Sequence, residues 1–300
     1  MQCDLCCKRL SLTSAIVLCG LAATATAAAA VRDGRPLLFG CGTGRPSEAL
    51  IRTSSDMRLW ESELMARGER APRGGITVNV YIHVVSRDQT VSGGYISQSS
   101  TVAQQMKVLD ETYAPMGISF VHKNTSWTVQ PSWAMDRNEE DMKRCLRRGS
   151  YRDLNLYFLR ALAGPVGTLG YCNFPGAVAP ASRLFYMDGC TLHVGSVPGG
   201  PLVGFNLGKT ATHEVGHWFG LMHTFEGEDC GGRGDHIDDT PAQASSSQGC
   251  PVGRDSCPDD PGVDPIHNYM DYSNDACYDQ FTPGQAVRIR NLWQKYRAKW

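Results

Sequence analysis

Five residues within an eleven-residue stretch have the types and spacing to hold a metal ion and work on it: His213, Glu214, His217, Gly220 and His223, in the order H-E-x-x-H-x-x-G-x-x-H. Residues four apart share one face of a helix, so His213 and His217 can offer ring nitrogens to a single ion. Glu214 then flanks the metal without ligating it. Were the helix to continue, His223 would lie roughly 240° further round than His217 and about 9 Å further along the axis, out of reach. Gly220 removes that obstacle, because a residue without a Cβ takes the left-handed conformation that ends a helix and turns the chain back. The spacing predicts a catalytic zinc held by His213, His217 and His223 with its fourth position open. Three neutral imidazoles leave the ion's double charge free to bring a bound water's pKa to about 7 and to polarise a carbonyl. Glu214 is placed to take that water's proton and pass it to a leaving amine.

Downstream stands Asn268-Tyr269-Met270-Asp271-Tyr272. With the histidine motif it resembles the metzincins and their Met-turn. The intervening Gly234-Asp235-His236-Ile237-Asp238-Asp239-Thr240-Pro241, Cys250-Pro251, Asp255-Ser256-Cys257-Pro258 and Asp264-Pro265-Ile266-His267 are similar to the pappalysin-like family, and within it to the secreted fungal metalloproteases. The resemblance runs from about residue 73 to the C-terminus and is strongest over 204–281. It implies an α+β zincin fold: a twisted mixed sheet of about five strands with a backing helix and an active-site helix, above a small irregular, disulfide-rich C-terminal subdomain. It implies an endopeptidase acting on extracellular proteins, with Met270 as an apolar floor under the histidines and the Tyr272 hydroxyl stabilising the oxyanion. It also implies the pairings Cys230–Cys257 and Cys250–Cys277, where the four cysteines alone allow three arrangements. In metzincins an edge strand pairs antiparallel with the substrate backbone, and Leu169-Gly170-Tyr171 is the candidate here.

Three hundred residues, 42% hydrophobic and with net charge −1, suit one globular domain behind a leader and leave no electrostatic footprint for nucleic acid. Lys8 and Arg9, the apolar run 10–21 and the alanine-rich 24–30 read as a signal peptide over 1–30, cut near 28–30. The run is too short and alanine-dominated for a membrane anchor. A secreted monomer follows, with 31–73 as prosegment or N-terminal arm and 74–300 as catalytic domain, divided into an upper part 74–223 and a lower part 224–300.

Alternation predicts a strand over 76–85, with His83 a hydrogen-bonded sheet histidine, and a second strand over 118–129. Val102, Met106, Leu109 and Tyr113 mark an amphipathic helix over 97–113 with serines available as caps. A short basic helix over 138–148, a central strand over 154–162, extended pieces at 169–173 and 183–197, and the motif helix over 209–219 follow. Thr282-Pro283-Gly284-Gln285 is a capping box opening a last helix that runs to the C-terminus.

Eight cysteines remain once Cys3, Cys6, Cys7 and Cys19 leave with the leader, an even number suited to an oxidising compartment. Cys172 and Cys190 fall on neighbouring segments and form a pair. Cys41 and Cys145 then either form a disulfide, which the even total favours, or leave the Cys41 thiolate to fill the zinc's open position as a cysteine switch. Thirteen carboxylates against two arginines between Glu226 and Asp279 suggest a structural Ca2+, with Asp235, Asp238, Asp239 and the Thr240 carbonyl as ligands, or else a merely solvated acidic loop. Asn124-Thr125-Ser126 is a glycosylation sequon. Asp275 lies near the subsite after the cut, but a broad cleavage pattern is expected. The rival reading is a secreted binding or toxin-like protein with a closed structural zinc, completed by His236 or His267.

Overall fold

The computed structural model describes residues 40–67 and 74–300. The leader and its cleavage site lie outside the described residues, as do 31–39 and 68–73 of the arm. β2 (Ile76–Ser86) buries Ile76, Val78, Val80, Ile82 and Val84 at alternate positions. It pairs in parallel with β3 (Ile118–Val129) on one side and β4 (Leu154–Leu159) on the other. β4 is buried at every position, as a central strand covered on both faces must be. It stops short of residue 162: the Ala161 N–H leaves the sheet for the Ala134 carbonyl at 3.1 Å, and the Arg160 side chain binds the Ser92 carbonyl. β6 (Cys190–His193) extends the sheet in parallel from β4, and β5 (Thr168–Cys172) closes it antiparallel to β6. Outside β5 lies β1 (Gly40–Cys41), parallel to it. The order β1-β5-β6-β4-β2-β3 thus has six strands against about five expected, and the extra one comes from the N-terminal arm.

Residues 183–197 are not extended throughout. Ser182 caps a short helix, α4 (Arg183–Met187), by accepting from the Phe185 N–H. Arg147 and Arg144 cover its Phe185 and Tyr186 rings at 4.5 and 4.6 Å. A 3-10 turn at Val194–Ser196 follows β6. Behind the sheet α2 (Ser99–Tyr113) buries Val102, Met106, Leu109 and Tyr113, but its N-cap is Gln98 without a side-chain bond, so the serines cap nothing. α3 spans Glu139–Leu146. The motif helix α5 (Lys209–Phe219) is buried from Thr210 onward and packs against β5 and β6. α6 (Pro283–Tyr296) opens with the capping box, Gln285 N–H donating to Thr282 Oγ1 (3.1 Å) and Thr282 N–H to Gln285 Oε1 (2.8 Å), and ends four residues before the C-terminus.

The arm also holds a helix that apolar periodicity does not reveal, α1 (Glu48–Ala66), capped by Ser47. Its buried positions are Leu50, Ser54 and Glu61, so polar residues interrupt the stripe. Between α5 and α6 the chain is irregular and is tied by Cys230–Cys257 and Cys250–Cys277, while Cys172–Cys190 joins β5 to β6. Among the described residues no helix is long and apolar enough to cross a membrane.

One buried carboxylate ties the C-terminus to the motif helix. Asp188 accepts from Arg297 (2.8 Å), faces Arg147 (3.3 Å) and accepts from the Trp218 indole N–H (3.2 Å). The Arg297 guanidinium stacks 3.8 Å from the Trp218 ring and donates to the Trp218 carbonyl at 3.0 Å. Asp188→Asn leaves two buried guanidinium groups without their anion, and should cost about 3 kcal/mol in urea unfolding. A loss below about 1 kcal/mol would show that the cluster does not carry this load.

Candidate active site

α5 presents His213 and His217 one turn apart, both fully buried, and Gly220 ends it at φ 105°, where its N–H reaches the Gly216 and His217 carbonyls. The chain then returns to bring His223 to the same point. His217 Nε2 lies 3.1 Å from both His213 Nε2 and His223 Nε2. The far side of two rings is fixed by backbone: His213 Nδ1 to the Tyr269 carbonyl and His217 Nδ1 to the Leu221 carbonyl, each 2.7 Å. A carbonyl only accepts, so both Nδ1 atoms carry the proton and both Nε2 atoms present lone pairs inward. Burial holds both imidazoles well below their ordinary pKa, hence neutral. Lone pairs facing one another in a dry site repel unless a cation lies between them. The spacing is close to the roughly 3.3 Å edge of a tetrahedron with 2.0–2.1 Å Zn–N bonds, so the residues fit zinc.

Glu214, fully buried, faces the same point, and burial raises its pKa to about 8. Its Oε2 accepts from the Thr43 hydroxyl at 3.0 Å and from the Cys41 thiol at 3.6 Å. Cys41 is the free cysteine among the described residues, and its Sγ and the three imidazole nitrogens all lie within 4.8 Å of one another. The expected Cys41–Cys145 disulfide is therefore not formed, and Cys145 is bonded elsewhere. Position explains it: the parallel pairing of β1 with β5 carries Cys41 onto the histidines. Burial and the Glu214 carboxylate push its thiol pKa up, so a thiolate there needs a cation beside it. Neither His236 nor His267 joins the cluster; His267 Nδ1 instead binds the Cys277 carbonyl at 2.6 Å.

Tyr272 OH lies 3.2 Å from His223 Nε2. Met270 is fully buried under α5, and a Cβ on Gly216 would collide with its sulfur. Gly216 is an unspecified position of the motif, and no spacing rule points to Thr43, which follows Cys41 by two residues and also accepts from the Cys172 N–H at 2.9 Å on β5. The outer edge of Leu169-Gly170-Tyr171 is thus occupied by the arm. A cleft of about 900 Å³ lies beside it, lined by Arg45, Glu48, His223, Phe225, Glu226 and Tyr272 among others.

The acidic loop only partly gathers the residues expected for Ca2+. Asp235 is buried, its Oδ2 unpartnered, and burial pushes its pKa up to about 8. Asp239 Oδ1 is also unpartnered and Thr240 lies against Asp235. Asp238 departs from that set: Arg58 and Ser62 of α1 hold it. Asp275 is buried and accepts from the Leu207 and Lys209 N–H groups (2.7 and 3.4 Å), so it fastens the start of α5. Asn124 is exposed on the edge strand β3.

Fold and site together define a zinc metalloendopeptidase of the metzincin type. A peptidase M43 family model, described as pregnancy-associated plasma protein-A, matches residues 202–294. An extracellular metalloprotease of Pyricularia oryzae is 52% identical over 282 residues, covering 94% of this chain and 96% of the relative. Extracellular metalloprotease 1 of Coccidioides posadasii is 50% identical over 278 residues, covering 93% and 96%. The chain belongs to this family of fungal extracellular metalloproteases, within the pappalysins. Among solved structures it is similar to mature mirolysin of Tannerella forsythia in complex with a cleaved peptide, with TM-score 0.60 and 27% identity over 74% of this chain and 93% of that one. A promirolysin variant matches with TM-score 0.63 and 25% identity over 85% and 94%.

Gly216→Ala should lower stability by about 1–3 kcal/mol and reduce zinc occupancy, since the new methyl must displace Met270 from under the histidines. Thermal melts with zinc quantified would check this, and an unchanged melt at full occupancy would separate the Met-turn from ligand placement.

Proposed function

We propose that this chain is secreted as a latent precursor, with His213, His217 and His223 as the zinc ligands, Glu214 as general base and acid, Tyr272 as oxyanion donor and Cys41 as the fourth ligand until the arm is removed. The observation that carries the reading is the convergence of three imidazole nitrogens, a carboxylate and one thiol sulfur on one buried point. Zinc bound there supplies Lewis acidity and an activated water. Glu214, whose pKa burial raises to about 8, is suited both to accept the nucleophile's proton and to give it to the amine. The Tyr272 hydroxyl, a neutral donor because burial raises its pKa, offers a hydrogen bond to a developing oxyanion. While the arm is in place, Thr43 and Cys41 engage Glu214 and β1 takes the β5 edge. The wider share of this chain matched by promirolysin, 85% against 74% for mature mirolysin, supports reading the arm as a prosegment.

Substrates are extracellular proteins, in keeping with the relatives' names and with the cleaved peptide bound to mirolysin. Asp275 is spent on backbone, which supports a broad cleavage pattern; cuts confined to basic residues in casein would refute it. Asn124, exposed in its sequon, is available to a glycan. Asp235, Asp239 and Thr240 are proposed to hold Ca2+, with Asp238 joining only if α1 releases it.

Glu214→Ala should keep its zinc and lose casein hydrolysis by at least about a thousandfold, whereas Cys41→Ser should hydrolyse casein before any cut in the arm. Hydrolysis by Glu214→Ala, or a Cys41→Ser precursor as silent as the parent, would refute the respective role. Added Ca2+, at constant zinc, should raise the melting temperature, and more at pH 8 than at pH 6. The sign follows from the raised pKa of Asp235: its protonated form stabilises the fold below the ordinary carboxylate range, that stabilisation is lost as pH rises through about 8, and Ca2+ replaces the proton. A melt indifferent to Ca2+ at both pH values would leave a solvated acidic loop.

A further inference from the structure

α1 binds the rest of the molecule through a contact of its own, away from the histidines. Glu61, 4% exposed, lies against Arg288 of α6, 1% exposed. Arg288 Nε donates to both carboxylate oxygens (3.0 and 2.9 Å) and Nη2 to one (2.7 Å), while Asn291 donates to the other at 2.8 Å. The same guanidinium donates to the Ser54 carbonyl of α1 at 3.2 Å and to the His236 carbonyl at 2.6 Å. Beside this pair Leu50 packs with Leu292 and Met222, joined by Met57 and Tyr296. Arg58 and Ser62 add Asp238. The helix thus carries an apolar patch, a buried forked ion pair and a second charged contact, all aimed at α6 and the acidic loop.

We infer that the α6 face centred on Arg288 is a docking surface whose occupant is this chain's own arm, and that the arm stays on it after the backbone between α1 and β2 is cut. A buried fork of this kind is geometrically exacting, and a partner lacking the carboxylate leaves Arg288 buried and unpaired. Glu61 is therefore the specific key, and Cys41 is dispensable for retention. The inference rests on reading the arm as a removable prosegment, but it concerns binding and not inhibition.

The full chain carrying Glu214→Ala, which cannot digest its own fragment, is nicked by trypsin after Arg70 or Arg73, checked by mass spectrometry, and passed through gel filtration. The fragment should co-elute with the catalytic part, and should still do so with Cys41→Ser added. Glu61→Ala should release it, with affinity weaker by roughly a hundredfold or more. Loss of the fragment from the parent, or release by Cys41→Ser as complete as by Glu61→Ala, would overturn the inference. Should Glu61→Ala fail to fold, synthetic 40–67 peptides with Glu or Gln at position 61 compete for the nicked protein instead, and equal competition would overturn it too. Casein hydrolysis by the nicked chain with native Glu214 separates the two readings. A retained fragment with full hydrolysis refutes the inhibitory arm alone, and a lost fragment with onset of hydrolysis refutes the docking alone.

Discussion

Two hydrogen bonds from ring to backbone, His213 to Tyr269 and His217 to Leu221, decide what this site can do. They fix the tautomers, and with them the direction of the lone pairs, in a place too dry for the imidazoles to protonate. Each acceptor belongs to a piece that the rest of the molecule must hold still. Leu221 is placed by the left-handed turn at Gly220, and Tyr269 by the Met-turn, whose own sulfur sits on Gly216. The Met-turn is anchored in its turn to α6: Asn268 and Gln285 exchange amide hydrogen bonds at 2.9 and 3.1 Å, and Gln285 is the same residue that closes the capping box. A cap at the start of the last helix is thus part of the positioning of the three histidines.

The chemistry was legible because it needs fixed residue types at fixed offsets. His213, Glu214, His217 and His223 follow from helix periodicity and one glycine, and the elements behind them follow from alternation and amphipathic spacing. What was hidden falls into two physical kinds. In α1 the inward face is Leu50, Ser54 and Glu61, and a hydrophobic count cannot see a stripe whose buried members are polar and whose partner, Arg288, lies 227 residues away. In α4 five residues are ordered by one serine cap and two guanidinium–aromatic contacts, none of which has a period.

The cysteine reading shows the limit of counting. An even total favoured Cys41 with Cys145, yet β1 pairing brings Cys41 to the histidines, and no parity argument contains that register. Asp238 and Asp275 teach the same lesson among carboxylates. Both sit where composition suggests a ligand or a subsite, and both are engaged by the protein itself, one by Arg58 and Ser62 and the other by two backbone N–H groups.

The direction of β1 has a further meaning. It runs parallel to β5, whereas the resemblance to metzincins implies a substrate laid antiparallel to that edge. On the reading proposed above, the arm lies in the cleft with its peptide polarity reversed. Its amides and carbonyls would then trade places relative to those of a substrate on the same edge, so the bond beside Cys41 would meet the proposed roles of Glu214 and Tyr272 in the wrong order for attack and departure. On that proposal the direction of the chain adds to the Cys41 sulfur on the histidines, and together they explain how the cleft could hold an ordinary peptide of its own chain and leave it uncut.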